Sequence, residues 1–516
     1  MLACAAFVVA AASGVVSAQG EAPAGPLSLE QVLRLAEERS ESIAIARVAL
    51  TRNDGDLKRT RSTRYPQLTA TATYERSLAN EFQGVFDNLD FGGGSSAGNG
   101  SSGSGDGGSG SGDLSNLPFG RANTWRATLA FSQTLYSGGR QQLQESLVGM
   151  SRETADQSVR TARGQLLFDV TQAYYDAVLT ERLVAIAEAT REQADATLRQ
   201  TQAGFDAGTQ PEFEVLRARV SRDNQTPAVI RARATRDVAL LRLKQMLELP
   251  VDYDLRLSDG LDDARLPPPS PFAEPVVAVE TAMERATQAP AGLPAGVPLP
   301  DRTAVAQAET AVRLREASVK LTEAQRRPSL AFTSTLSRIA FPSGAFPTFD
   351  RMNWAVGANV SLPILTGGRQ KGDEMVARAD LEQARIQHKQ VQELAALETR
   401  SAWAELLAAR AAWVASAGTV EQATRAYDIA DVRYRAGVST QLELSDARLL
   451  LQQAEANRAQ AARDLQVARA RVALLPTLPL GGATGTAPRT TAASAQTGTT
   501  QVTTAAQPGG QQAGTR

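Results

Sequence analysis

The chain has 516 residues, a formal charge of −1 and an apolar fraction of 42% in which aromatic rings supply only 5%. That balance argues against a large conventional core. Near-neutral charge with no basic run excludes a binder that tracks nucleic-acid phosphates. One cysteine and one histidine, with no phosphate loop or serine triad, leave nothing from which to build an active site, so no enzyme, cofactor or metal is expected.

In chain order, Leu2 to Val16 is apolar and uncharged, and Val16-Ser17-Ala18 before Gln19 has the small-x-small form of a secretory cleavage site. Residues 1–18 are therefore read as a signal peptide, carrying Cys4 with them. Leu27 to about Arg61 reads as a helix capped by Ser28, with Leu29, Val32, Leu33, Ala36, Ile43, Ala46 and Val48 at helical spacing. Pro66 closes it. From Pro66 to Ser77, Leu68, Ala70, Ala72 and Tyr74 alternate with polar residues as in a strand. The Gly/Ser-rich run Gly92 to Asp113 is loop by composition, and a second strand follows with Trp125, Ala127, Leu129 and Phe131 on one face.

Between Gly139 and Gly208 there is no proline, and Ala, Leu, Gln, Glu and Arg dominate, the residues that lose least on entering a helix. Leu166, Val170, Ala173, Ala177, Val184 and Ala187 keep a four-three spacing interrupted only by Thr180, a heptad-like seam. Such a run makes a rod on the order of 90 to 100 Å long, which needs equally long neighbours. Gly208 is the expected left-handed stop, and a second helix starts near Pro211 and runs back.

Proline-rich segments Leu261 to Pro275 and Pro290 to Pro300 flank a helix from Val276 to Thr287 and connect this block to a second copy of it. That copy opens with a helix from Ala304 to Gln325 and a strand from Pro328 to Ser337, then a strand with Trp354, Val356, Ala358, Val360 and Leu362 on one face. Ser132 to Arg140 returns as Ser361 to Arg369, so Gly138 and Gly139 correspond to Gly367 and Gly368 at an offset of 229. At that offset Gly208 falls on Gly437, Glu214 on Glu443, Tyr174 on Trp403 and Pro250 on Pro479. The helices and loop before the second strand repeat at 262, Pro66 falling on Pro328, so the first copy carries 33 extra residues between its strands. From Gly481 onward the chain is Ala, Thr, Gly and Gln without period, which reads as a disordered tail over 480–516.

No apolar run after the signal reaches the ~18 residues of a membrane helix, yet each strand has about the length that crosses a bilayer at a tilt. Four strands cannot close a barrel, and an open edge in lipid leaves backbone groups unpaired. Membranous strands would therefore require oligomerisation.

The order and duplication of these motifs resemble the TolC-like outer membrane efflux protein family. The residues that carry the resemblance are Leu27 to Leu33, Tyr65-Pro66-Gln67-Leu68, Arg327-Pro328-Ser329-Leu330, the two Gly-Gly-Arg strand ends, Phe205-x-x-Gly208 and Arg433-Tyr434-x-x-Gly437. The resemblance implies a mainly α chain with a membrane β-barrel part, as two tandem repeats of strand–long helical hairpin–strand elements. Three protomers would give four strands each to a 12-stranded barrel, continued by a periplasmic α-helical barrel. On this reading 19–250 is the first repeat with an extracellular loop at about 80–121, 251–302 an equatorial connector and 303–479 the second repeat. The second extracellular loop would span Ala340 to Met352, and the shorter helices would stack end to end alongside the long ones.

The implied function is the exit duct of a tripartite efflux or type I secretion system, a homotrimer in outer-membrane lipid with a periplasmic adaptor and an inner-membrane transporter as partners. By the same resemblance Glu443 and Asp446 form acidic rings at a periplasmic constriction and Tyr434 is a gate residue, while the family's basic partner after the glycine is Ser439 here. Gly208 and Gly437 mark the hairpin tips, and Gly138, Gly139, Gly367 and Gly368 the strand-to-helix junctions. Read from the residues alone, Glu443 and Asp446 are solvated helix positions and Tyr434 a packing residue. The alternative function is a periplasmic coiled-coil scaffold or surface fibre.

Overall fold

A computed structural model describes residues 25–76, 123–261, 265–287, 301–340 and 351–481. The signal segment, the Gly/Ser-rich loop, residues 341–350 of the second loop, Pro290 to Pro300 and the tail from residue 482 lie outside the described residues. The elements, in order, are α1 (Leu29–Arg39), α2 (Glu41–Ser62), β1 (Gln67–Arg76), β2 (Asn123–Tyr136), α3 (Arg140–Asp206), α4 (Glu212–Met246), α5 (Ala273–Thr287), α6 (Thr303–Ala324), β3 (Ser329–Ala340), β4 (Arg351–Ser361), α7 (Arg369–Arg435) and α8 (Gln441–Leu474). In each half both strands precede the helical hairpin, which corrects the strand–hairpin–strand order. Among the described residues no helix is long and apolar enough to cross a membrane.

The long helices α3 and α7 have 67 residues each, rods of about 100 Å. Both begin after a pair of left-handed glycines, Gly138 and Gly139 at φ 65° and 86°, Gly367 and Gly368 at 58° and 87°. Both end at glycines with φ 72°, Gly208 and Gly437. The next amide folds back, Thr209 N–H to the Gly204 carbonyl at 2.8 Å and Val438 N–H to that of Arg433 at 2.9 Å, which satisfies carbonyls the helix end leaves open.

Two shorter helices lie end to end along each rod. α2 pairs with the sheet-side half of α3 through Arg61–Glu145 at 2.7 Å and Arg152–Asp54 at 2.5 Å, and α4 with the tip-side half through Arg233–Glu188 at 2.5 Å. The Glu41 N–H donates to Glu248 Oε1 at 3.1 Å where the two meet. In the second half α6 lies on α7 through Arg326–Glu374 and Arg315–Asp380, and the Thr303 N–H donates to the Pro476 carbonyl at 2.8 Å beside the end of α8.

The single helix expected from Leu27 to Arg61 is broken at Ser40. There ψ is 117°, and the Ser40 hydroxyl accepts from the Ile43 N–H and caps a fresh helix. Pro275, read as part of the connector, sits in the first turn of α5, where its missing N–H costs nothing.

The expectation of no sizeable core is also corrected. At mid-length Leu29, Val32, Leu33, Val170, Tyr174, Leu243, Leu255, Phe272, Trp403, Leu406 and Leu465 belong to one buried cluster. The connector supplies part of it, so a rod with a small-residue seam acquires a collar. Tyr174 is 0% exposed, with its hydroxyl 3.1 Å from the Leu27 carbonyl and 3.0 Å from Asp259 Oδ2. Leu27 is itself bonded to Arg256 and Ser258 on either side of Leu257.

The four strands form one antiparallel sheet in the order β1-β2-β3-β4. A Cβ at Gly138 would lie 2.6 Å from Arg327 Cβ, whereas one at Gly208 meets nothing within 4 Å. Gly138→Ala therefore combines a positive-φ strain of about 1–2 kcal/mol with a steric collision, and Gly208→Ala has the strain alone. The thermal midpoint of Gly138→Ala is expected to fall further; equal midpoints would contradict the packing.

Candidate functional site

Two regions carry features that packing alone does not require. In the sheet, the register sets Leu68 opposite Phe131, Ala70 opposite Leu129, Ala72 opposite Ala127 and Tyr74 opposite Trp125. On the other side Leu129 meets Leu336 and Leu336 meets Trp354; Ser334 meets Val356, Phe332 meets Ala358 and Leu330 meets Val360. Directly opposed residues share a face, so one face is almost continuously apolar across all four strands, while Thr69, Thr71, Thr73, Thr128, Thr333, Thr335 and Asn359 line the other. Leu68, Trp354, Val356 and Val360 stay exposed. The outer edges of β1 and β4 pair with nothing in the chain, and an apolar face with open edges is not a stable surface in water.

At the far end of the rods the two hairpins meet. Tyr434 is buried with Ala430, Leu444 and Ala447. The Thr201 hydroxyl donates to the Thr197 carbonyl at 2.8 Å and lies 2.8 Å from the Tyr434 hydroxyl, which donates to it in turn. Gln441, also buried, reaches Glu214 Oε2 at 2.9 Å when its amide nitrogen faces that carboxylate. Arg448 is 4% exposed, its sole hydrogen bond a long 3.5 Å contact to Thr197 Oγ1. Its Nε has no partner. Burial lowers the Arg448 pKa, with Tyr427 and Asp431 opposing that shift, and Asp431 is engaged by Arg435 at 2.7 Å.

Glu443 and Asp446 line one shallow groove with Ile429, Leu442 and Leu450. Glu443 is half-buried and paired with Arg433 at 3.0 Å, while Asp446 is exposed. The structure thus brings Glu443 and Asp446 together on one face and sets Tyr434 inside the seam between the halves. Thr197, Thr201, Gln441 and Arg448 were missed by reading the sequence. Arg448 corresponds to Arg219 at the repeat offset, and Arg219 is exposed, so no sequence signal separated the two.

A family model described as "Outer membrane efflux protein" matches residues 32–248 and 299–506. The chain belongs to the outer membrane efflux protein family. Membership places it in the outer membrane. Among curated members it is 25% identical over 312 residues to the outer membrane efflux protein BepC of Brucella suis biovar 1, covering 60% of this chain and 63% of that protein. It is 28% identical over 183 residues to the pyoverdine export outer membrane protein OpmQ of Pseudomonas aeruginosa, covering 35% and 37%. The alignments therefore span under two thirds of either relative.

Solved members share the fold over more of the chain. The Campylobacter jejuni CmeC outer membrane channel superposes with a TM-score of 0.66 at 15% identity, covering 88% of this chain and 86% of that one. The open state of the Neisseria gonorrhoeae MtrE channel gives 0.64 at 20% identity, covering 87% and 89%.

Proposed function

We propose that this efflux family member is a passive exit duct: three copies close a 12-stranded barrel in the outer membrane, and their helical hairpins continue it as a periplasmic tunnel. The observation that carries this reading is the sheet, apolar on one face, polar on the other and unpaired at both edges. In lipid each unpaired backbone group costs several kcal/mol, so only a closed ring of copies suits it. A soluble scaffold or fibre would leave that face in water. A periplasmic adaptor and an inner-membrane transporter, serving efflux or type I secretion, would complete the path.

At the tip, Glu443 and Asp446 repeated by threefold symmetry would concentrate negative potential at the entrance and favour cations. Purified protein in planar bilayers is expected to conduct, and a monomer that neither inserts nor conducts would end the proposal. Glu443→Gln with Asp446→Asn is expected to move the reversal potential under a KCl gradient toward zero while conductance persists. An unchanged reversal potential would remove these two residues from the constriction.

A further inference from the structure

The internal duplication carries more than a count of strands. The β1–β2 ladder sets Leu68 opposite Phe131, and adding 262 and 229 gives Leu330 opposite Val360, which is the β3–β4 pairing observed. Each pair from Gln67↔Ser132 to Arg76↔Asn123 transfers in this way. The helices obey the same offsets, since α2 (Glu41–Ser62) maps onto α6 (Thr303–Ala324) end for end. The two halves are one structural unit placed twice, joined through β2–β3, α3–α6 and the Gly138–Arg327 contact.

The mirror of that joint is vacant. β4 and α7 present the surface that β2 and α3 present, but no second β1 and α2 lie against it. Three features mark the vacancy. Leu362 to Leu365 correspond to residues that β2 places in the ladder as far as Tyr136, yet Ile364 and Leu365 are 90% and 93% exposed. A Cβ at Gly367 would meet nothing, where Gly138 is pressed against Arg327. The polar bridge Gln157–Thr310 at 3.3 Å maps onto Ile386 and Val48, both apolar and exposed.

Resting on the duct reading, we infer that a second copy fills this surface in the register that β2 and β3 use within the chain. Phe131↔Ser334 becomes Val360 opposite Ala72 of the next copy, and Ala130↔Thr335 becomes Asn359 opposite its Thr73. Arg327, which fills the space at Gly138, is replaced at Gly367 by Tyr65 of the next copy. Val48 of that copy covers Ile386. The interface between copies is thus a repeat of the joint between halves, with a polar bridge exchanged for an apolar contact.

Thiol oxidation of the full-length protein in outer-membrane preparations tests the register. Opposed residues in an antiparallel pair have Cβ atoms about 4.5–5.5 Å apart, and the chain's single cysteine is Cys4. The double variants Val360→Cys/Ala72→Cys, Asn359→Cys/Thr73→Cys and, on the helices, Ile386→Cys/Val48→Cys are expected to give covalent oligomers up to trimer. The four single variants at sheet positions, and the displaced pair Val360→Cys/Thr69→Cys, are expected to give none. Because the first two pairs lie on opposite faces and the third is outside the sheet, failure of one variant to fold leaves the others decisive. An intact trimer on native gels in which only the displaced pair links would overturn the register and leave the duct standing. Absence of any oligomer would overturn both.

Discussion

Tyr174→Ala is expected to lower the thermal midpoint more than any other single side-chain truncation in the periplasmic rods. The ring is fully buried between α1, α3 and the connector, and its hydroxyl sits 3.0 Å from Asp259 and 3.1 Å from the Leu27 carbonyl. Asp259 Oδ2 also accepts the Leu29 N–H at 3.0 Å, so one phenol holds the start of the chain, the connector and the long helix together. Truncation of a large buried ring costs about 3–5 kcal/mol through the cavity it leaves. Tyr174→Phe keeps the packing and loses about 1–2 kcal/mol of hydrogen bonding. Burial, reinforced by Asp259, raises the pKa of the phenol, so it stays protonated in the fold. The unfolded chain releases this proton near its ordinary pKa of about 10. The phenol's contribution is therefore constant below that pH and is lost as pH rises beyond it. Circular dichroism melts of the detergent-solubilised protein, with limited proteolysis of the connector, check the order wild type, Tyr174→Phe, Tyr174→Ala. A Tyr174→Ala melt that overlays wild type would refute the collar as the keystone of the rod.

At the tip, two substitutions are expected to act in opposite directions. Tyr434→Ala empties a four-residue cluster and deprives Thr201 of its donor, at a local cost of about 3–5 kcal/mol by analogy with other buried rings. With the hairpins less firmly held, open-state occupancy and bilayer conductance should rise. Arg448→Met should do the reverse. A buried charge with one weak contact makes the closed packing costly, and replacing such a charge by an apolar side chain of similar length is often stabilising by about 1–4 kcal/mol. Reduced conductance for Arg448→Met, with Arg448→Lys near wild type, is the expected pattern. An increase for Arg448→Met would identify Arg448 as a clasp instead of a source of tension.

Much of the fold was legible because its elements are long and repeat. A glycine-bounded run without proline has few alternatives to a helix, and alternation over ten residues has few alternatives to a strand. The collar was not legible, since Leu255, Phe272 and Val276 are scattered over an irregular segment with no period to reveal them. Ser40 was hidden for a different reason: a serine inside an amphipathic pattern reads as a tolerated polar residue until its hydroxyl is seen capping the next turn. At the tip the acidic pair and Tyr434 stood out through their resemblance, whereas Arg448 and Gln441 gain their character from what α3 and α4 place against them.

The equal length of α3 and α7, 67 residues each, limits how such a chain can change. Deleting one residue from α3 alone would turn everything beyond it by about 100° and draw it back by about 1.5 Å, carrying Thr197 and Thr201 away from the side chains they now meet. Matched deletions of seven in both rods would instead preserve facing and shorten the reach. Lineages adapting to a wider or narrower envelope are thus confined to paired, heptad-sized steps.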